Sequence, residues 1–397
     1  MSATHVGQLS EQGKYDRTNI AAFVCFALAL LSLTGFIGNY AETLSDFSAF
    51  YNAGKMAGAL GASDAYDLRQ FRLAYADTFP GAPSGYGWFY PPTFLLVQQP
   101  LSELPYQWAR GVWLTSTFCL YLFAMRPLAR NWLHWLLIAS APAIAFHWHS
   151  GQTGFLVAGL LAFALFGLAR KNVKGDWQAG VAIGLLTLKP HLWLLLPVFL
   201  LIEGRWRVVL VAVLTTAALI AVSFLFYGFA PWQAMITSVV SGYTDNHADQ
   251  IQLFAKMGNV SGFLSFVGLE TINSLAQLAS VVLLCALMYW LKKARASLPV
   301  RLAFAVAACF LIAPHNMIYD HTIFVPICAL ILMDSKPKEH TLLIGSAALL
   351  LAWPALFALV PGLDTIPLSF VIVLLFTIAL AFNGLRLNRP IKVAEAG

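Results

Sequence analysis

Charge is scarce in this sequence. Only 11% of its 397 residues are Asp, Glu, Lys or Arg, and 59% are hydrophobic. A soluble domain carries about 25% charge, so water is excluded as the solvent for most of this surface. Cysteine is sparse too. The five, Cys25, Cys119, Cys285, Cys309 and Cys328, all fall within apolar runs. None stands in CxxC spacing, which argues against a disulfide framework and a thiolate zinc site. They read as small core- or lipid-facing residues. The formal net charge of +6 is not a nucleic-acid signature here. Basic residues of a membrane chain gather in its cytoplasmic loops, and no nucleic-acid partner is expected.

Other absences narrow the function. The middles of the apolar runs hold almost no charge. A central charge costs at least about 2.5–3.5 kcal/mol, and ion-coupled transporters retain such residues for function. No internal repeat pairs the two halves, as in many secondary transporters. Nothing resembles the filter rings of a channel. No small-residue cleavage site follows the first apolar run, 20–39, which is also longer than a signal-peptide core. It reads as a retained span, with Lys14 and Arg17 holding the N-terminus in the cytoplasm.

What is present is apolar length. Spans are expected near 20–39, 106–125, 131–147, 153–169, 177–189, 191–203, 207–228, 272–291, 301–314, 321–333, 340–358 and 366–384, about twelve in all. Several are short and bounded by Pro or His, as at Lys189-Pro190-His191 and Pro314-His315. Such breaks are tolerated where they line a cavity. The run Pro91 to Leu104, interrupted by Gln98, Gln99 and Pro100, is too short to cross and is expected to be re-entrant.

The basic residues support that choice. If 91–104 does not cross, Arg126, Arg130, Arg170, Lys171, Lys174, Arg205, Arg207, Lys292, Lys293, Arg295, Arg301, Lys336, Lys338, Arg386, Arg389 and Lys392 join Lys14 and Arg17 on the cytoplasmic side. If it does cross, all of these later residues move outside, against the positive-inside bias. The expected organisation is therefore an all-α integral membrane protein. A cytoplasmic tail, 1–19, precedes a single membrane domain, 20–385, and a second cytoplasmic tail, 386–397, follows it. Two long outer loops, about 40–105 and 229–271, face away from the cytoplasm. The polar junctions His147 to Gln152, Lys189 to His191 and Pro314 to His321 fall on that same face. Any chemistry is expected there, at the outer face of the cell (inner) membrane.

The first outer loop opens with Ser45-Asp46-Phe47-Ser48-Ala49-Phe50-Tyr51-Asn52-Ala53-Gly54-Lys55. Aromatic and small residues recur at helical spacing up to Leu60, and Gly61 can end the helix. This predicts a helix lying on the membrane surface. Asp64-Ala65-Tyr66-Asp67 and Trp88-Phe89-Tyr90-Pro91-Pro92 follow.

These elements resemble glycosyltransferase family 87. An acidic residue after the first span, an aromatic-rich helix, an LYD-like element (here Ala65-Tyr66-Asp67), a YPP entry, a GQ junction, a KP junction and a late PH…Y.H junction occur in that order from about residue 45 to 325. The family includes polyprenyl-phosphate-mannose-dependent mannosyltransferases. The resemblance implies a GT-C-like polytopic bundle, a lipid-linked sugar donor and an inverting mechanism. The expected reaction is transfer to a glycolipid or glycan acceptor, and no cofactor is expected.

Each candidate residue has a plainer reading beside the functional one. Asp46 can cap a helix; the resemblance makes it the catalytic general base. Lys189 can snorkel or hold the donor phosphate as a point charge. His315 and His321 can be interfacial histidines or donors to phosphate or sugar, with Tyr319 and Asp320 tuning the site, and the resemblance favours His321. His149 and Gln152 are expected to line the donor pocket. His147 and His149, two residues apart, cannot share one helix face, and no ligand set accompanies them, so no metal is expected. Trp88 and Tyr90 belong to an aromatic belt or stack on sugar. The rival class is a transporter or flippase for a lipid-linked sugar precursor.

Overall fold

A computed structural model describes residues 24, 26–31, 45–82, 87–241, 247–334 and 341–386. The expected N-terminal tail, the expected C-terminal tail beyond Arg386, most of the first apolar run, and Lys336 and Lys338 lie outside them. Every regular element among the described residues is helical. After the helical residues 26–31 come α1 (Phe47–Ala59), α2 (Leu68–Thr78), α3 (Pro92–Ser102), α4 (Tyr106–Met125), α5 (Trp132–Ser140), α6 (Pro142–Ser150), α7 (Gly154–Arg170) and α8 (Val173–Leu185). The chain continues through α9 (Leu196–Glu203), α10 (Trp206–Tyr227), α11 (Ala230–Ser241), α12 (His247–Lys256), α13 (Val260–Phe266), α14 (Asn273–Lys293), α15 (Leu298–Ile312), α16 (Val325–Asp334), α17 (Thr341–Leu359) and α18 (Leu368–Arg386). The two expected outer loops are thus themselves largely helical.

Four helices are long and apolar enough to cross a membrane: Trp206–Tyr227, Glu270–Lys293, Thr341–Leu359 and Leu368–Leu385. The first two are only 22% and 17% buried, and they turn large apolar side chains outward, including Leu225, Phe226 and Leu275. Apolar surface that continuous requires hydrocarbon rather than water around it. The other expected spans are shorter or broken. Gly154–Arg170 has 17 residues and Leu298–Ile312 has 15. The run 131–147 divides at Ala141-Pro142 into helices of nine residues each. The run 177–203 breaks into two short 3₁₀ turns, Leu186–Leu188 and Pro190–Trp193. Proline lacks the N–H that would continue the helix at both places. Length and composition alone therefore support four crossings among the described residues.

The helix expected at Phe47 to Leu60 is present as α1, and the protein covers most of it. Phe47 to Gly54 and Met56 are all buried. Gly54 allows this, because a Cβ there would sit 2.4 Å from the Gln98 carbonyl oxygen. The backbones of α1 and α3 consequently pack in direct contact. On another side Ser48 Oγ and Tyr75 Oη of α2 are 2.8 Å apart. The aromatics of α1 become a core, with Phe50 edge-on to Trp88, Tyr90, Phe94 and Trp113. Such pairs contribute about 0.5–1.5 kcal/mol each beyond their area.

A seven-residue 3₁₀ helix, Ile318–Phe324, packs against α6, α7, α16 and α17. Runs of that length are uncommon. It carries Tyr319, Asp320 and His321 into the centre of the molecule.

Candidate functional site

The site begins at the turn that ends α6. Gly151 adopts φ +68°, and a Cβ there would lie 2.8 Å from Phe47 Cβ. Both the left-handed backbone and the close approach require glycine. Trp113 Nε1 of α4 donates to the carbonyls of Gly151 and Gln152, at 3.0 and 3.2 Å. Arg110, also on α4, donates to the carbonyls of Trp148 and His149, at 2.8 and 3.2 Å. A cation at a helix C-terminus is favourable. Arg110 Nε reaches Ser45 Oγ at 3.2 Å. Together these contacts dock the start of α1 against residues 148–152.

Asp46 occupies the N-cap position of α1 but makes no side-chain capping bond. Its carboxylate instead accepts from Gln152 Nε2 at 2.9 Å. Gln152 Oε1 accepts in turn from the Tyr90 hydroxyl, also at 2.9 Å. Burial pushes the Tyr90 hydroxyl above its usual range, so it remains a proton donor at neutral pH. Tyr90 is anchored from behind, where the Tyr66 hydroxyl donates to its carbonyl at 2.8 Å. The LYD-like and YPP elements therefore meet in space.

Beside Tyr90 lies a buried ion pair. Lys189 Nζ donates to Asp320 Oδ1 at 2.5 Å, with the two side chains 3% and 2% exposed. The ammonium also sits 5.8 Å from the Tyr90 ring centre and 5.1 Å from that of Tyr319. Asp320 Oδ2 accepts from the Met317 N–H at 3.1 Å. Lys189 thus does not snorkel. A proline-broken helix and the 3₁₀ segment bring it to a carboxylate far away in the sequence.

The histidines separate by burial. His315 is exposed. Burial lowers its pKa, opposed by Asp320 and reinforced by Lys189, and it stays neutral at pH 7. His321, the histidine favoured from the sequence, is 1% exposed. It is flanked by Phe310 and Phe324, with ring centres 5.2 and 5.8 Å away. Steric access therefore favours His315. His191 is half-buried, its Nε2 has no hydrogen-bond partner, and it lies within electrostatic reach of Lys189 and His315. His149 is half-buried, and burial and then Arg110 hold it below the usual histidine range.

Two further expectations change. Trp88 is buried and stacks on Phe94 with centres 5.8 Å apart and rings 3° from parallel. Its packing in the core leaves no face for a sugar, whereas Tyr90 is only half-buried. Gln152 holds Asp46, a contact that a role in the donor pocket did not anticipate. Among the described residues no group of three or more His, Cys, Asp or Glu side chains is placed to hold a metal ion. Asn259-Val260-Ser261 has the spelling of a glycosylation site, but Asn259 is buried and caps α13 by accepting from Gly262 N at 2.6 Å.

Sequence reasoning missed Arg110, Trp113 and His191 as individual site residues. The one available signal for Arg110 was a cation near the start of an apolar run. Nothing in the local pattern marks Trp113.

The profile of glycosyltransferase family 87 matches residues 88–314. The match includes Trp88, Tyr90, His149, Gln152 and Lys189; it begins after Asp46 and stops before His315. Comparison with curated proteins and with solved structures returned no match. The profile covers more than half of the chain, and with the apolar helices it leads to one conclusion: this protein is a glycosyltransferase and belongs to glycosyltransferase family 87.

Proposed function

We propose that the protein transfers a hexose, mannose by preference, from a polyprenyl-phosphate sugar to a glycolipid or glycan acceptor, with inversion at the anomeric carbon. The observation that carries this reading is the state of Asp46. It is a carboxylate at a helix start that is oriented by the Gln152 side chain rather than by the helix N–H groups, which supports a role in proton transfer. In the reaction it takes the acceptor hydroxyl proton while that oxygen attacks the anomeric carbon. The bond to the phosphate oxygen breaks on the opposite face, and polyprenyl phosphate leaves.

Charge grows on the departing phosphate, so donors beside it act most strongly in the transition state. Lys189, His315, His191 and the Tyr319 hydroxyl are the candidates, with His149 at the edge of the same region. The outward apolar faces of α10 and α14 are suited to a lipid tail. His321 contributes packing behind this site. The donor is a monophosphate, with no second phosphate for a divalent ion to bridge, and the reaction is read as metal-independent. Transfer by the purified protein should survive excess EDTA; loss on chelation, restored by magnesium or manganese, overturns that part.

The site is read as facing outward from a GT-C-like bundle in the inner membrane, with residues 170–174 cytoplasmic and 91–104 re-entrant. A cysteine placed at 170–174 should resist an impermeant thiol reagent in intact cells, and ready labelling overturns the orientation. The chemical test is release of free polyprenyl phosphate when donor and acceptor are added together. A flippase would leave the donor intact.

A further inference from the structure

We propose that Gln152 is a positioning residue for Asp46, its amide orientation set by the Tyr90 hydroxyl, so that the base is coupled to the Lys189–Asp320 pair through one chain of contacts. This rests on Asp46 being the general base. An amide can present either its N–H₂ or its oxygen to a neighbour. Here Tyr90 donates to Gln152 Oε1, which obliges Nε2 to face Asp46. One carboxylate oxygen is thereby tied, and the carboxylate is held in one rotation.

The anchors of this chain are independent of one another. Trp113 fixes the Gln152 backbone from α4. Tyr66 fixes the Tyr90 backbone from the segment before α2. Lys189 stands beside the Tyr90 ring and is itself held by Asp320. Gln152 is 7% exposed, so little of it is left to meet a ligand. A change at the ion pair on the phosphate side would be felt at the base through Tyr90 and Gln152. Phosphate held at one end and proton transfer at the other are the two ends of the same displacement.

The test uses the purified full-length protein, with polyprenyl-phosphate mannose as donor and octyl α-mannoside as acceptor. Gln152→Leu should lower kcat about 10–100-fold with little change in donor KM, since misplacing a reacting group by about 1 Å costs about that much. Tyr90→Phe should lower kcat on its own but add little in the Gln152→Leu background, because both act through one path. Gln152→Glu puts a second carboxylate against Asp46. Its activity should rise as pH falls from about 8 to about 6, where the pair shares a proton, and wild type should lack that rise. A raised donor KM with unchanged kcat in Gln152→Leu would make Gln152 a donor contact and overturn the proposal. Additive effects of the two substitutions would overturn it as well. Asp46→Asn separates the levels. If it is inactive while Gln152→Leu turns over normally, only this inference fails. If Asp46→Asn is as active as wild type, the general-base reading itself fails.

Discussion

Lys189 and Asp320 meet 2.5 Å apart although 131 residues separate them in the chain, and both side chains are almost fully buried. Deleting one partner leaves a stranded buried charge, which costs about 3–5 kcal/mol. Lys189→Ala and Asp320→Ala should each lower the unfolding temperature of the detergent-solubilised protein markedly. Replacing both, as Lys189→Met with Asp320→Leu, should recover most of that stability while transfer remains lost. A double variant less stable than either single one would contradict this account.

Asp46 makes a sharper kinetic prediction. Asparagine can still accept from Gln152 Nε2, but it cannot take a proton as a carboxylate does. Asp46→Asn should fold and bind donor normally, and transfer should fall about 10²–10⁴-fold. Because the side chain makes no capping bond, Asp46→Ala should show none of the ~1 kcal/mol cost of a lost cap. Turnover per folded molecule and thermal melts of both variants check the two parts.

Two glycines of α1 should respond in opposite directions. A Cβ on Gly54 would meet the Gln98 backbone oxygen at 2.4 Å, whereas one on Gly58 would find nothing closer than 3.6 Å. Gly54→Ala should destabilise by about 1–3 kcal/mol through forced separation of α1 and α3. Gly58→Ala should be neutral or stabilising by up to about 1 kcal/mol, as in an ordinary helix. Thermal unfolding of the two variants side by side is the measurement, and equal effects would count against the packing of α1 on α3.

His315 and His149 are held below the ordinary histidine range by burial. The unfolded chain therefore binds protons at these positions that the folded protein does not. Stability should be level above about pH 6.5 and should decline as pH falls below it. His315→Asn should make that decline shallower. A melting temperature that rises on acidification through this range would contradict it.

Part of this protein is legible locally. The scarcity of charge places it in a bilayer, and prolines at 142 and 190 mark helix breaks because they cannot donate to the turn before them. The order of short motifs from Asp46 to His321 pointed to the family that the profile match later supported. Aromatic and small residues at helical spacing located α1. Its depth was not legible. Periodicity reports which residues share a face, but not whether a second backbone can approach, and here Gly54 and the Gln98 carbonyl decide that.

The sequence by itself determined the solvent, the helical class and the set of polar residues from which a site is built. Tertiary structure decided how they pair. Asp46 meets Gln152 across 106 residues and Lys189 meets Asp320 across 131. It also turned Trp88 and His321 into core and left His315 with an accessible surface. The physical reason is the range of the forces involved. Apolar transfer and backbone hydrogen bonding act on each segment where it stands and are written into composition and spacing. A hydrogen bond between distant side chains exists only after the helices have packed, and its geometry is fixed by close approaches that no local pattern encodes.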